Sequence, residues 1–428
     1  MEAGLSAPEA ARKAALFKQI GAGQRRFFVP GRIEVLGKHT DYAGGRSLLC
    51  TVERGFCLSA SARSDRRVRV FDAGRGQEAE VGLDPMRAPE ARGWIVYAAT
   101  VAQRLAQNFP GDLRGADITF ASDLPPASGL SSSSSLVVAL FSALSDINEL
   151  SARDAYRANI TSLEDLSGYL GCLENGQNFK ALPGDRGVGT LGGSEDHAAI
   201  LCCRKAELAQ FVFCPVRHEL SIALPGDWTF VVASSGIAAD KTGGAREKYN
   251  RLSLATAAIL DLWRRERVHA DTTLLAAATS SPDAAAEIRR VLSDAAHPRF
   301  ESTFLLGRFD QFFEETTRII PAVVRALASG DLTAVGSLVD RSQELAERFL
   351  GNQIPETIAL ARKARRLGAA AASAFGAGFG GSVWALVPAA EAENFRARWK
   401  TDYLEAFPSA AASADFFVTR PGPALLRL

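Results

Sequence analysis

The 428-residue chain reads as an α+β protein built from two domains. Its length exceeds that of one ordinary domain. Strand-like and helix-like segments are mixed within each half without a regular βαβ alternation, which argues against a doubly wound parallel sheet. The composition, 47% hydrophobic and 23% charged, is that of a chain able to bury a core. Lysine and arginine number 49 against 48 acids, a formal charge of +1, so no basic excess points to a nucleic-acid partner. The same near-neutrality, at this hydrophobic content, excludes a disordered chain.

In chain order, residues 7–20 have the spacing of an amphipathic helix, and FFVPGRIEVLG (27–37) reads as a strand interrupted at its Pro-Gly pair. Short β-rich runs from Leu48 to Ala73, CTVERGFCLSASA and RRVRVFDA, suggest an antiparallel sheet. GWIVYAATVAQRLAQ (93–107) is helical, ADITFASDLP is a strand closing in a proline turn, and SSSSSLVVALFSALSDI switches to a helix. LPGDWTFVVAS (224–234) opens the second half with a strand. Mostly helical sequence follows to about Arg366, and ALARKARRLGAAAASAF is read as helix to its end. SVWALVP and SADFFVTRP return to strands. The boundary is set at 220, giving domains 1–220 and 221–428.

The six cysteines show no CxxC pair or regular framework, so structural zinc and a disulfide scaffold are not expected. The N-terminal segment has an acid at Glu2 and no signal-length apolar run, and the most apolar stretch, Leu136–Leu144, is too short to span a bilayer. A cytoplasmic protein with no membrane partner is expected.

Three motifs carry chemistry. PGRIEVLGKHTDYAGG (30–45) packs Arg32, Lys38, His39, Asp41 and Tyr42 among glycines beside a strand. Such donors and acceptors suit a polyol, although a glycine-rich turn with solvated charges would read alike. Its Gly-Lys pair fails as a P-loop: five residues separate Gly31 from Gly37, and His39 stands where Ser or Thr is required. PPASGLSSSSSLVVAL (125–140) runs serines directly into an apolar helix, so they read as a cap and first turn rather than a linker. The free N–H groups and dipole of such a turn bind phosphate. GAGFGGSVWALV (376–387) matches G-x-G-x-x-G, but a helix is expected before it and a strand after, the reverse of a dinucleotide site. A tight loop packed against another loop remains.

Taken in this order, from about residue 25 to the C-terminus, the motifs resemble the GHMP small-molecule kinases and, within them, the galactokinase branch. The resemblance implies a ribosomal-S5-like N-terminal domain, a ferredoxin-like C-terminal domain and an active site in the cleft between them. It implies transfer of the ATP γ-phosphate to a sugar hydroxyl with Mg²⁺, with a small-molecule sugar as partner and a monomer or homodimer as assembly. By the same resemblance Asp196 is the base and Arg32 the group that stabilises it and the transferring phosphoryl. Glu174 and Ser133 correspond to magnesium ligands. His39, Asp41, Gly193 and Tyr249 correspond to sugar contacts, and Lys38 occupies a further sugar position. Trp94, Tyr97, Gly129, Leu130, Ser131, Ser132, Ser133, Lys241 and Gly378 correspond to the nucleotide side. Taken singly, Glu174 and Asp196 read as surface acids, Trp94 as core, and Lys241 and Tyr249 as surface groups.

The chain departs from that branch at two places. Galactokinases carry glutamate where Lys38 stands, in contact with the C6 hydroxyl, and a cation cannot make the same bond. Either Lys38 turns outward or pairs with an acid such as Glu195, leaving a neutral hexose as substrate, or it faces the negative group of a uronate. The usual Met-Asp-Gln is here Glu195-Asp196-His197, and a second buried carboxyl raises a neighbour's pKa. The leading expectation is an ATP-dependent sugar kinase acting at the anomeric C1 hydroxyl. The alternatives are a kinase for an acidic sugar or other small alcohol and a non-catalytic sugar- and ATP-binding regulator. A dehydrogenase is disfavoured by the misplaced glycine motif.

Overall fold

A computed structural model describes residues 7–85, 91, 93–238, 246–266 and 270–428. Two sheets divide the chain. The first contains β1 (Arg25–Leu36), β2 (Arg46–Ala62), β3 (Arg67–Asp72), β4 (Gln77–Gly82), β5 (Ala116–Ser122), β6 (Glu207–Val212), β7 (Arg217–Ala223) and the C-terminal β12 (Leu426–Arg427). The second contains β8 (Trp228–Ser234), β9 (Ala371–Phe375), β10 (Ser382–Pro388) and β11 (Asp415–Thr419), in the order β11-β8-β10-β9. Within the first sheet only β3 and β5 pair in parallel, so the architecture is α+β, as the irregular alternation indicated. The sheets part between β7 and β8, so a boundary at residue 220 cuts β7, and β12 carries the chain end back onto β1.

Helices Ile95–Asn108, Ser132–Ile147 and Leu163–Asn175 place Val101, Val138 and Leu170 against Ile33, Leu58 and Ile118 of the first sheet. The same apolar cluster continues through Val323, Val339 and Leu345 to Phe230, Val232, Trp384 and Leu386 on one face of the second sheet. The alternate residues Val231, Ala233, Val383 and Ala385 face helices Pro355–Arg366 and Ala392–Ala406, as a strand with both faces covered requires. One continuous core therefore joins the two halves.

Two readings of the sequence need correction. Pro30-Gly31 does not break the first strand: β1 runs through it, with register shifts between Pro30 and Arg32 and between Glu34 and Leu36 that absorb the missing donor. AAASAF is not the end of a helix. The helix stops at Arg366, Gly368 takes φ 103°, and Ala371–Phe375 form a fully buried strand paired with β10. Alanine favours helix, but this segment has a strand partner and no exposed face.

Side chains from the second half lock the loop after β1. Arg308 is fully buried and donates to the His39 carbonyl, to Gln311 Oε1 at 2.6 Å and to the Tyr42 hydroxyl at 3.2 Å. Gly37 N–H donates to Glu315 Oε1 at 2.9 Å, and Gln311 Nε2 to the Lys38 carbonyl at 3.2 Å. Removing Arg308 leaves several buried acceptors unpaired. Arg308→Ala should lower stability by about 2–4 kcal/mol, read from the denaturant midpoint. A loss below about 0.5 kcal/mol would mean the loop does not depend on this clamp.

Candidate active site

Two cavities meet at Ala377, in the loop between β9 and β10. The first is polar and is lined by Arg32, Glu34, His39, Asp41, Glu174, Gly193, Glu195, Asp196, His197 and Tyr249, among others. The second, of about 470 Å³, is lined by Trp94, Tyr97, Phe56 and Phe120 with Gly129 and Ser131–Ser133. A large cavity with aromatic walls beside a serine turn is the shape expected of a nucleotide pocket.

Arg32 lies in β1 and Asp196 in the first turn of helix Glu195–Cys202. Arg32 Nε and Nη2 lie 2.8 and 2.6 Å from Asp196 Oδ1, and Nη1 donates to the Gly129 carbonyl. One guanidinium thus joins the first strand, the base candidate and the serine loop. Burial alone would disfavour the Arg32 charge, but Asp196, Glu195 and Glu34 outweigh it and hold its pKa above the ordinary value.

On the far side of Asp196, the Ser134 hydroxyl faces Asp196 Oδ2 at 3.2 Å and Glu174 Oε2 at 2.9 Å. His197 Nε2 lies 3.2 Å from the same Glu174 oxygen. The serine expected beside Glu174 was Ser133. The helix starts at Ser132, and successive residues turn about 100° around its axis. Ser134 therefore faces the carboxylates, and Ser133 faces the second cavity. Ser131 takes a left-handed conformation (φ 59°) at the helix start, and its buried hydroxyl has no protein partner. An unpaired hydroxyl at a helix N-terminus fits an anionic ligand such as phosphate.

The residues expected to contact a sugar converge. Asp41 accepts from the Tyr42 N–H (2.9 Å) and the Glu195 N–H (3.1 Å). Gly193 permits this approach, because a Cβ there would stand 2.3 Å from Asp41 Oδ2. His39 Nε2 is 3.0 Å from the Ala377 carbonyl, which can only accept, so that nitrogen carries the proton and Nδ1 faces the Tyr42 hydroxyl at 3.0 Å. The Tyr249 ring lies 5.2 Å from the His39 ring.

Some expected residues fall elsewhere. Lys38 does not line the first cavity and is neither outward-facing nor paired with Glu195. It is 1% exposed, with Nζ 3.1 Å from Ser342 Oγ of helix Leu332–Leu345. Gly37 and His39 on either side of it have φ of 120° and 58°, and the turn they make directs Lys38 into the second half of the chain. The Leu130 side chain is buried in the core, and its carbonyl accepts from Arg32 N–H at 3.2 Å. Gly378 packs on Asn352, while its neighbour Ala377 reaches both cavities. Lys241 lies outside the described residues. The glycine loop does pack against the serine loop: Ser382 Oγ donates to the Ser128 carbonyl at 2.6 Å, and a Cβ on Gly376 would stand 2.9 Å from the Gly129 carbonyl.

Glu34 was not singled out from the sequence. The strand period would have found it, because residues 32 and 34 share a face of β1. Burial pushes its carboxyl up to about 7 against the opposing pull of Lys38 and Arg32. Glu195 is raised further, first by burial and then by Glu34 and Asp41, while Ser47 Oγ donates to it at 2.6 Å.

Family models match three stretches: the galactokinase galactose-binding signature at 15–62, the GHMP kinases N terminal domain at 95–168 and the GHMP kinases C terminal region at 323–405. The galactokinase of Chloroflexus aggregans is 29% identical over 382 residues, covering 87% of this chain and 86% of the relative. That of Actinobacillus pleuropneumoniae serotype 5b is 26% identical over 375 residues, covering 86% of each. The crystal structure of Lactococcus lactis galactokinase complexed with galactose superposes with a TM-score of 0.76 at 22% identity, covering 98% of this chain and 99% of that one.

A raised carboxyl pKa is also a statement about stability. Glu34 has a reference value of 4.5 and a folded value of about 7, so the folded state holds the proton more tightly. The stability this provides is full below the unfolded value and is lost as pH rises through the folded one. Glu34→Gln mimics the protonated form. It should therefore melt higher than wild type by an amount that grows between pH of about 5 and 8, on the order of 2 kcal/mol at the upper end. A constant difference across that range would refute the shift.

Proposed function

We propose, for a chain that is a galactokinase-like sugar kinase of the GHMP superfamily, that it transfers the ATP γ-phosphate to the anomeric C1 hydroxyl of a neutral monosaccharide, with Asp196 as base. The observation that carries this reading is the Arg32–Asp196 pair, with Arg32 buried and Asp196 half-buried in the polar cavity, beside a nucleotide-sized one. In the step, the Asp196 carboxylate takes the hydroxyl proton and the sugar oxygen forms a bond to the γ-phosphorus. The bond from that phosphorus to the bridging oxygen breaks, and ADP leaves with the electron pair. Arg32, fixed on Asp196, holds positive charge where the phosphoryl oxygens pass. Trp94 and Tyr97 flank the adenine ring, and the Ser131–Ser133 turn holds the phosphates.

Magnesium fits the donors present. Glu174 and the Ser134 hydroxyl supply hard oxygen, and among the described residues no group of three His, Cys, Asp or Glu forms a site by itself. Phosphate oxygens and water would complete the shell, as Mg²⁺ prefers. Bound there, the ion would neutralise phosphate charge.

The charge of the first cavity supports a neutral sugar over a uronate. Five acids line it against one arginine, and Lys38 is not among its lining residues. The cavity has room for about 40 Å³, so its walls have to separate for a monosaccharide to enter. No described helix is long and apolar enough to cross a membrane.

A coupled ADP-release assay across neutral aldoses, deoxysugars and uronates tests the reading. Turnover is expected with a neutral aldose, and its absence with every sugar would refute the proposal. Asp196→Asn should lower kcat by about 10²–10⁴-fold with the ATP KM little changed; undiminished kcat would remove Asp196 from the role of base. Glu174→Ala should raise the magnesium concentration needed for half-maximal rate by about tenfold or more, as judged by titration at fixed ATP.

A further inference from the structure

Within the proposed sugar-kinase reading, we propose that Asn250 is a positioning residue of the sugar site: it latches the loop 189–193, the movable wall of the polar cavity, over the bound sugar. A cavity with room for about 40 Å³ has to part for a monosaccharide, so at least one wall moves. Most of its walls are tied down. β1 holds Arg32 and Glu34 within the first sheet, and its Ile33 lies in the core. The loop of His39 and Asp41 is clamped by Arg308, Gln311 and Glu315. The helices of Ser134, Glu174 and Asp196 bury Val138, Leu170 and Ile200 in the same core. Gly376 and Ala377 are bonded to Glu34, His39 and Asn352. That leaves the stretch that supplies Thr190, Gly192 and Gly193 to the cavity.

Residues 189–193 belong to no helix or strand, and among the described residues no backbone–backbone hydrogen bond holds them. Three side-chain bonds do. Asn250 Oδ1 accepts from the Leu191 N–H at 2.9 Å, Asn250 Nδ2 donates to the Gly189 carbonyl at 3.1 Å, and Asn175 Nδ2 donates to the Gly192 carbonyl at 2.8 Å. Asn250 makes two of the three from helix Arg246–Glu266, which Leu252 and Ile259 anchor in apolar clusters. Tyr249 grips the same loop, since a Cβ on Gly192 would stand 2.9 Å from its hydroxyl. The ends of the loop are pinned: Val188 N–H donates to the Glu174 carbonyl at 2.8 Å, and Glu195 N–H to Asp41 Oδ2 at 3.1 Å. The segment is therefore a strap, fixed at both ends and held down in the middle by neutral hydrogen bonds. Such bonds add little net stability each, so the strap opens at small cost and its closed position depends on Asn250. Reclosed, it returns Thr190 and Gly193 to the cavity wall.

The test compares wild type with Asn250→Ala in the ADP-release assay, using the neutral aldose that wild type turns over fastest. Asn250 is only half-buried, so the variant should fold. Its sugar KM should rise by about tenfold, because the closed strap becomes a minor state that binding must repopulate. The ATP KM and kcat should stay within about threefold, since Arg32, Asp196 and the nucleotide cavity are untouched. Hydrogen exchange is a second reading that needs no turnover. The peptide spanning residues 187–194 should exchange faster in the free variant than in free wild type, and the aldose should slow it in both. A general loss of structure would instead raise both KM values alike. That outcome, a sugar KM within about threefold of wild type, or a wild-type exchange rate that the aldose leaves unaltered each overturns the Asn250 assignment alone. Wild type inactive on every sugar overturns the kinase reading and this assignment together.

Discussion

The Arg32 guanidinium is the point to which the site is tied. It is 2% exposed and bonds Asp196 through two nitrogens and the Gly129 carbonyl through a third. A buried ion pair is a poor source of net stability, because taking both charges from water costs about what their attraction returns. Its value is geometric. The strand, the helix that carries Asp196 and the serine loop cannot shift independently without exposing an unpaired charge. The nucleotide-sized cavity and the polar one are therefore held in fixed relation, as in-line transfer between two ligands requires.

Around this pair the charges are arranged in depth. Glu174, Asp196, Ser134, Asp41 and Glu34 line the polar cavity, and Lys38, Glu315 and Ser342 form the layer behind. The near-zero net charge of the chain conceals this local excess of acid. The loop after β1 is clamped by the second half. Arg308, Gln311 and Glu315 bond its backbone, so His39 and Asp41 inherit the rigidity of the shared core.

The strongest local signals in the sequence were read correctly for local reasons. Serines entering an apolar run form a helix start because the apolar run must be buried, and the glycine loop packs tightly because its carbonyl contacts leave no room for a Cβ. Errors arose where a residue's role depends on a partner far along the chain. Ala371–Phe375 is a strand because β10 lies beside it, and Lys38 turns from the cavity because Ser342 and Glu315 await it 304 and 277 positions on. The choice between Ser133 and Ser134 turned on the residue at which the helix begins, which no propensity fixes to one position.

By itself, then, the amino-acid order determined the α+β class, the three motifs and the residue types available for phosphoryl transfer, because periodicity, glycine geometry and side-chain chemistry are properties of short segments. The tertiary structure alone decided which of those side chains share a cavity. It brought Arg32 to Asp196 across 164 residues and set Glu34, not singled out in the sequence, in the wall of the polar cavity. It also withdrew Lys38 into the layer behind. Burial and charge pairing between distant segments set these outcomes, and both exist only once the chain has folded.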